Sequence, residues 1–193
     1  AMAASFKVIE YAMKLSALHK DNPKDDIIGA LLRGTQREEG LSEEEFVWFF
    51  LMLIAAGNES TRTVISHGLL QLMKHPEQLQ YLVDNPDKIA NACEEMLRYN
   101  TAFIIMRRTA MEDAQVGGRQ LKKGDKIIMH YHTVNHDESI FGDDAMAFDV
   151  TRAERMPDLY NQHRAFGVGQ HFCLGTHLAR LELRVMFEEI IPR

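Results

Sequence analysis

Phe166-Gly167-Val168-Gly169-Gln170-His171-Phe172-Cys173-Leu174-Gly175-Thr176-His177-Leu178-Ala179 is the stretch from which the rest of the chain takes its meaning. Gly167 and Gly169 free the backbone just ahead of a cysteine, and Cys173 stands where a long helical pattern begins. Amides at a helix N-terminus point toward incoming negative charge, so the sulfur is favoured as the thiolate that binds metals. A thiolate suits haem iron, zinc or an iron–sulfur cluster, and the last two ordinarily gather several cysteines. Here the only other cysteine is Cys93.

The composition bounds the class. A chain of 193 residues can bury a real core, and 46% hydrophobic with 26% charged residues describes a soluble globular protein. A net charge of −6 argues against nonspecific nucleic-acid binding. Two cysteines make no disulfide framework and fit a reducing cytoplasm. The most apolar run, Phe46 to Ala56, is too short to cross a bilayer and is expected to be a buried helix. No signal-peptide pattern is visible.

Taken from its start, the chain reads as helices. Met2 to His19 carries Phe6, Ile9, Met13 and Leu18 at roughly helical spacing, and Asp21-Asn22-Pro23 breaks it. Asp25-Asp26 caps a second helix, Ile27 to Leu32, closed by Gly34. Ser42 followed by Glu45 forms a capping box that opens a long helix from Glu43 to Lys74. In its middle stand Ala56-Gly57-Asn58-Glu59-Ser60-Thr61-Arg62. Gly57 costs about 1 kcal/mol against alanine there, and a hydroxyl bonded back onto the preceding turn bends a helix, so a local cost points to a local use.

Ile89 to Tyr99 predicts a helix with Glu95 and Arg98 on one face, a pairing that by itself commonly decorates solvated surfaces. Ala114 to Leu121 reads as a hairpin, and Lys126 to Met129 as a buried strand after the Lys123-Gly124-Asp125 turn. His130 and His132 share one face if that strand continues, and with His136 they raise a zinc site as an alternative to polar strand-end residues. From Leu174 a final helix is expected to turn Leu178, Leu181, Val185 and Met186 inward.

Phe-Gly-x-Gly-x-His-x-Cys-x-Gly, followed by Ala179, resembles the cysteine-ligand loop of the cytochrome P-450 superfamily of haem-thiolate monooxygenases. Ala56 to Thr61 resembles that family's oxygen-binding groove, with Ser60 at the position of its principal threonine. Glu95 and Arg98 resemble its Glu-x-x-Arg pair, and Arg152 the third member of a buried charge triad. Family members often carry proline at the position of Ala102 and an apolar residue at that of Arg164.

The resemblance implies a fold that is mainly α with a small β region, the C-terminal haem-binding half of the cytochrome P-450 fold, with residues 1–193 forming part of one domain. Family chains run to roughly twice this length. It implies haem b (iron protoporphyrin IX) with Cys173 as the axial ligand of the iron and O2 as co-substrate. Arg108 and His171 hold the propionates, and Ala56, Gly57, Phe166, Gly167, Gly175 and Ala179 line the cofactor. Glu59 and Ser60 are the catalytic pair that relays protons, and Phe103, Ile104 and Ile105 line a hydrophobic substrate chamber.

The implied function is insertion of one oxygen atom into a hydrophobic small molecule, with a sterol or branched lipid as the analogy from soluble bacterial members. The implied partner is a ferredoxin-type electron donor with its NAD(P)H reductase, and Arg164, Arg180 and Arg184 offer it a basic patch. Neither nucleic acid nor a membrane span is expected, and the location is cytoplasmic. Two alternatives remain open: a noncatalytic haem-binding or self-associating fragment, and a haem-free helical interaction domain.

Overall fold

Ser42 and Glu45 cap one another: the Ser42 amide donates to Glu45 Oε2 over 2.9 Å and the Glu45 amide donates to Ser42 Oγ over 3.3 Å. That reciprocal pair satisfies two amides a helix start leaves open, and it launches the longest element of the chain. The computed structural model describes residues 2–33 and 41–193, the side chains of residues 2 and 3 excepted. It divides into two compact units, Ala1–Glu59 and Ser60–Arg193.

In the first unit, α1 (Met2–Asp21) and α2 (Ile27–Arg33) precede α3 (Glu43–Lys74), which continues into the second unit. Asp26 Oδ1 accepts the Gly29 amide over 2.8 Å at the start of α2, and its carboxylate lies 3.0 Å from His19 Nε2. Gly34, expected to close α2, lies outside the described residues. Ala12, Phe46 and Val47 form the buried centre, with Ile9, Ile28, Leu31 and Phe50 packed on it. The apolar run from Phe46 is not the buried helix expected: Trp48, Met52, Ile54, Ala55 and Ala56 are exposed. A helix apolar all round is buried only where neighbours surround it, and this core covers one face.

The second unit continues with α4 (Pro76–Asp84), a 3-10 turn at Pro86–Lys88 and α5 (Ile89–Tyr99). Then come β1 (Ile105–Thr109), β2 (Ala114–Val116), β3 (Arg119–Leu121) and β4 (Lys126–His130). Four short helices follow, α6 (Tyr131–Val134), α7 (Glu138–Phe141), α8 (Arg152–Arg155) and α9 (Leu159–Gln162). A 3-10 turn at Gly169–His171 leads to α10 (Thr176–Ile190). Helices dominate and the β content is two small antiparallel pairs, β1 with β4 and β2 with β3.

The core of this unit joins α3, α4, α5 and α10 through Val64, Leu72, Leu82, Met96, Leu97, Leu183 and Phe187. Close approach at Gly68 is what lets them meet, because a Cβ there would lie 2.7 Å from Met96 Sδ and 3.0 Å from the tip of the Phe187 ring. Gly117 and Gly118, at φ of 56° and 79°, make the β2–β3 turn, where a positive φ at both positions suits the twist of a two-residue hairpin.

Two expectations about facing are corrected here. The strand β4 is not buried, since Ile128 is exposed and Ile127 and Met129 only half-buried: a two-stranded ribbon covers neither of its faces. On α10 the inward stripe is Thr176, Leu183 and Phe187, while Leu178, Leu181, Val185 and Met186 are exposed. The helix carries two apolar stripes, and the one that meets α5 is the one buried.

Candidate functional site

The cysteine loop is held by its own backbone. The Cys173 amide donates to the Phe166 carbonyl over 3.0 Å, closing the loop upon itself. Gly167 and Gly169 sit at φ of 76° and 72°, the left-handed region where a side chain is strained. Gly167 is buried, and a Cβ there would approach Tyr131 Oη to 3.3 Å. The first helical residue of α10 is Thr176, so Leu174-Gly175 form a turn and Cys173 precedes the helix by three residues instead of starting it. Cys173 is half-buried, and its chain neighbours Val168, Phe172 and Leu174 are exposed apolar residues. Cys93 differs entirely: it is buried in the core, and burial pushes its thiol up to about 12.

Glu95, Arg98 and Arg152 have side chains with 0% exposure. Glu95 accepts from Arg98 Nε over 2.7 Å, from Arg98 Nη2 over 2.8 Å and from Arg152 Nε over 3.1 Å. The remaining Arg98 donors meet the carbonyls of Asn135, Ala145 and Ala147. Those of Arg152 meet the Phe141, Asp144 and Ala147 carbonyls and the Asp144 carboxylate. Every guanidinium N–H of the pair therefore has an acceptor, which is the condition under which buried charge is tolerated. The network fastens residues 135–149 and reaches the cysteine loop through Asn135, whose Oδ1 accepts the Arg164 amide over 2.6 Å.

A second acid on α5 was not singled out from sequence. Glu94 Oε1 accepts from Arg180 Nε over 2.8 Å, and Oε2 accepts from Arg180 Nη2 over 3.0 Å and lies 2.9 Å from His163 Nε2. Burial pushes this carboxyl up, yet the hydrogen bonds from His163 and Arg180 outweigh it and hold the group below the usual carboxylate range. Arg180 also lies over the rings of Tyr160, at 3.7 Å, and Phe166, at 4.6 Å. Two consecutive acids on a helix with a buried face were the available signal.

The three arginines expected to form a basic patch are each engaged within the chain. Arg180 is engaged by Glu94, Arg164 donates to the carbonyls of Asn161, Gln162 and His163, and Arg184 lies 3.6 Å from Glu188. The histidines make no zinc cluster either. His132 is in α6, off the strand that ends at His130, and its ring stacks on His136 at 4.3 Å. Among the described residues no group of three His, Cys, Asp or Glu side chains is placed to hold a metal.

On α3, Ala56, Gly57 and Glu59 are exposed, Ser60 is half-buried and Thr61 buried, and the helix runs through them without interruption. A Cβ on Gly57 would meet nothing within 4 Å. Arg108, on β1, is half-buried and donates to the Arg107 carbonyl over 3.1 Å; among the described residues no hydrogen bond joins it to the cysteine loop. His171 ends the 3-10 turn and is exposed, and Ala179 is half-buried on the first turn of α10. Phe103, Ile104 and Ile105 are exposed.

These residues fit an iron porphyrin better than a protein-built metal centre. A single half-buried cysteine could supply one thiolate ligand, and a macrocycle would bring its own four nitrogens. Among the described residues no helix is long and apolar enough to cross a membrane.

Comparison with known proteins extends over nearly the whole chain. Residues 3–91 and 89–193 match the family described as Cytochrome P450. A steroid C26-monooxygenase of Mycolicibacterium smegmatis is 37% identical over 97% of this chain and 42% of its own length. A linalool 8-monooxygenase of Pseudomonas putida is 37% identical over 95% of this chain and 43% of its own. The crystal structure of CYP109E1 from Bacillus megaterium in complex with corticosterone superposes with a TM-score of 0.89 at 33% identity, covering 100% of this chain and 50% of that one. The chain thus spans about half the length of the relatives it matches. Since both stretches of the family profile follow one another along it and meet in the segment where α5 begins, the chain belongs to the cytochrome P450 family.

Proposed function

We propose that this chain is the haem-binding part of a monooxygenase that inserts one oxygen atom of O2 into a hydrophobic small molecule, residues 1–193 being part of a single catalytic domain. The observation that carries the reading is the presentation of Cys173: a single half-buried cysteine on a loop closed by the hydrogen bond from its own amide to the Phe166 carbonyl. When bound, haem supplies the activation of dioxygen, for which thiolate ligation provides electron density. Cys173 is the residue that would hold the iron, and Arg108 and His171 those that would take the propionates, a guanidinium matching a carboxylate in geometry.

The chain's own contribution to turnover is proton handling. Glu59 is exposed and so exchanges protons with solvent, while Ser60, next in the helix and half-buried, offers a hydroxyl that both accepts and donates. A serine hydroxyl rotates more freely than that of the threonine usual in the family, so part of the oxygen consumed is expected to leave as peroxide. The names of the relatives support a steroid or terpenoid-like substrate, and a ferredoxin with its NAD(P)H reductase is the proposed electron source, in the cytoplasm.

The test is spectral. Haem added to the chain, then reduced and exposed to carbon monoxide, is expected to give the strongly red-shifted Soret band of thiolate ligation, and Cys173→Ser to abolish it. An imidazole-like band in the unsubstituted chain would sink the reading. A second reading, a haem-binding fragment that pairs with another copy, is favoured by the exposed apolar stripe Leu178, Leu181 and Val185 on α10. Sedimentation equilibrium together with oxygen-dependent product formation separates the two.

A further inference from the structure

We infer that Glu94 is a positioning residue for the cysteine loop: one carboxylate on α5 clamps the chain on both sides of Cys173 and so fixes the stance of its sulfur. The inference rests on Cys173 being the iron ligand, and it assigns a task to an acid that stands next to the triad without belonging to it.

The geometry is that of a buckle. His163 precedes the loop and Arg180 follows it on α10, and both bond the same carboxylate. His163 is oriented for this, because its Nδ1 accepts the Ala165 amide over 3.3 Å and the ring proton is thereby left on Nε2, facing Glu94. Arg180 meets Glu94 with two nitrogens, a fork that fixes direction as well as distance. Its third nitrogen donates to Thr176 Oγ1, in the first turn of the same helix.

From there a short route leads to the sulfur. The Arg180 guanidinium lies over the Phe166 ring, and the Phe166 carbonyl receives the Cys173 amide. Displacing Arg180 removes the support beneath Phe166, and with it the acceptor that pins the backbone of Cys173. Glu95 cannot replace this contact, since its two oxygens are occupied by Arg98, Arg152 and the Asp149 amide. The two neighbouring acids thus hold different partners: Glu95 binds Arg98 and Arg152 and reaches only the lead-in at Arg164 through Asn135, while Glu94 binds His163 and Arg180 on either side of Cys173.

The test uses the full chain without haem and then with it. In the haem-free protein, alkylation of Cys173 by iodoacetamide, read by mass spectrometry with buried Cys93 as internal reference, is expected to run roughly tenfold faster in Glu94→Gln, because local opening exposes the loop without global unfolding. Leu82→Ala, a core truncation in α4, serves as the control for a general loss of stability. Arg180→Lys keeps the charge but loses the fork and is expected to show the same direction of change, which keeps the test decisive if Glu94→Gln does not fold. With haem and carbon monoxide, both variants are expected to shift population from the thiolate band to the unligated form. Alkylation of Cys173 no faster than in Leu82→Ala would overturn the clamp. That arm judges Glu94 even if no thiolate band appears in the unsubstituted chain, an outcome that would sink the haem assignment instead.

Discussion

Arg152 Nε and Glu95 Oε2 lie 3.1 Å apart across 57 residues of sequence, with neither side chain exposed. Replacing Arg152 by Met would remove five hydrogen bonds, to Glu95, Phe141, Asp144 and Ala147, and leave the buried Glu95 carboxylate a single guanidinium partner. A loss of about 3–5 kcal/mol is expected in urea unfolding, with Arg152→Lys recovering little because an ammonium offers three donors in place of five.

Gly68→Ala sets helix propensity against packing. Alanine favours the helix by about 1 kcal/mol. Its methyl, however, would meet the Met96 sulfur and the tip of the Phe187 ring, both on fully buried side chains. Overpacking typically costs about 1–3 kcal/mol, so a net fall in melting temperature is expected.

The glycines of the two motifs should respond oppositely. Gly57→Ala lies in open space on α3 and is expected to stabilise the chain by about 1 kcal/mol. Gly167→Ala forces a side chain to a φ of 76° against Tyr131, and about 1–3 kcal/mol should be lost. Thermal unfolding of the pair checks both signs.

Leu181→Gln and Val185→Gln should each change stability by less than about 0.5 kcal/mol, since both side chains are exposed. Leu183→Ala, on the buried stripe between them, should cost about 2–5 kcal/mol. A large loss at Leu181 would mean that the stripes have been assigned to the wrong faces.

His136 provides a pH test. Burial lowers its pKa below the usual 6.5, overriding the hydrogen bond from Nδ1 to the His132 carbonyl, and His132, Arg98 and Arg152 disfavour its charge further. The unfolded chain therefore takes up this proton first on acidification. The contribution is complete above pH 6.5 and is lost as pH falls through the lower folded value. His136→Gln should flatten that part of the pH–stability curve in denaturant titrations.

What the sequence made legible was local. Ser42 with Glu45 announced α3 and Gly117-Gly118 marked the hairpin, each signal acting within a few residues. Facing was harder. α10 carries Leu178, Leu181 and Val185 as well as Leu183 and Phe187, and only the neighbouring α5 decides which stripe is covered. The run from Phe46 misled for the same reason, being apolar on every side. Family motifs located Glu95 and Arg98, but no local pattern links Glu94 to His163 and Arg180, which lie 69 and 86 residues away.

Consecutive residues of an α-helix point about 100° apart. With Glu94 and Glu95 each gripped by a different part of the chain, α5 is keyed like a shaft in two slots. Rotation about its own axis, or a one-residue slip from an insertion or deletion among residues 89–99, would unseat both couplings together, whereas changes at exposed Asn91 would disturb neither.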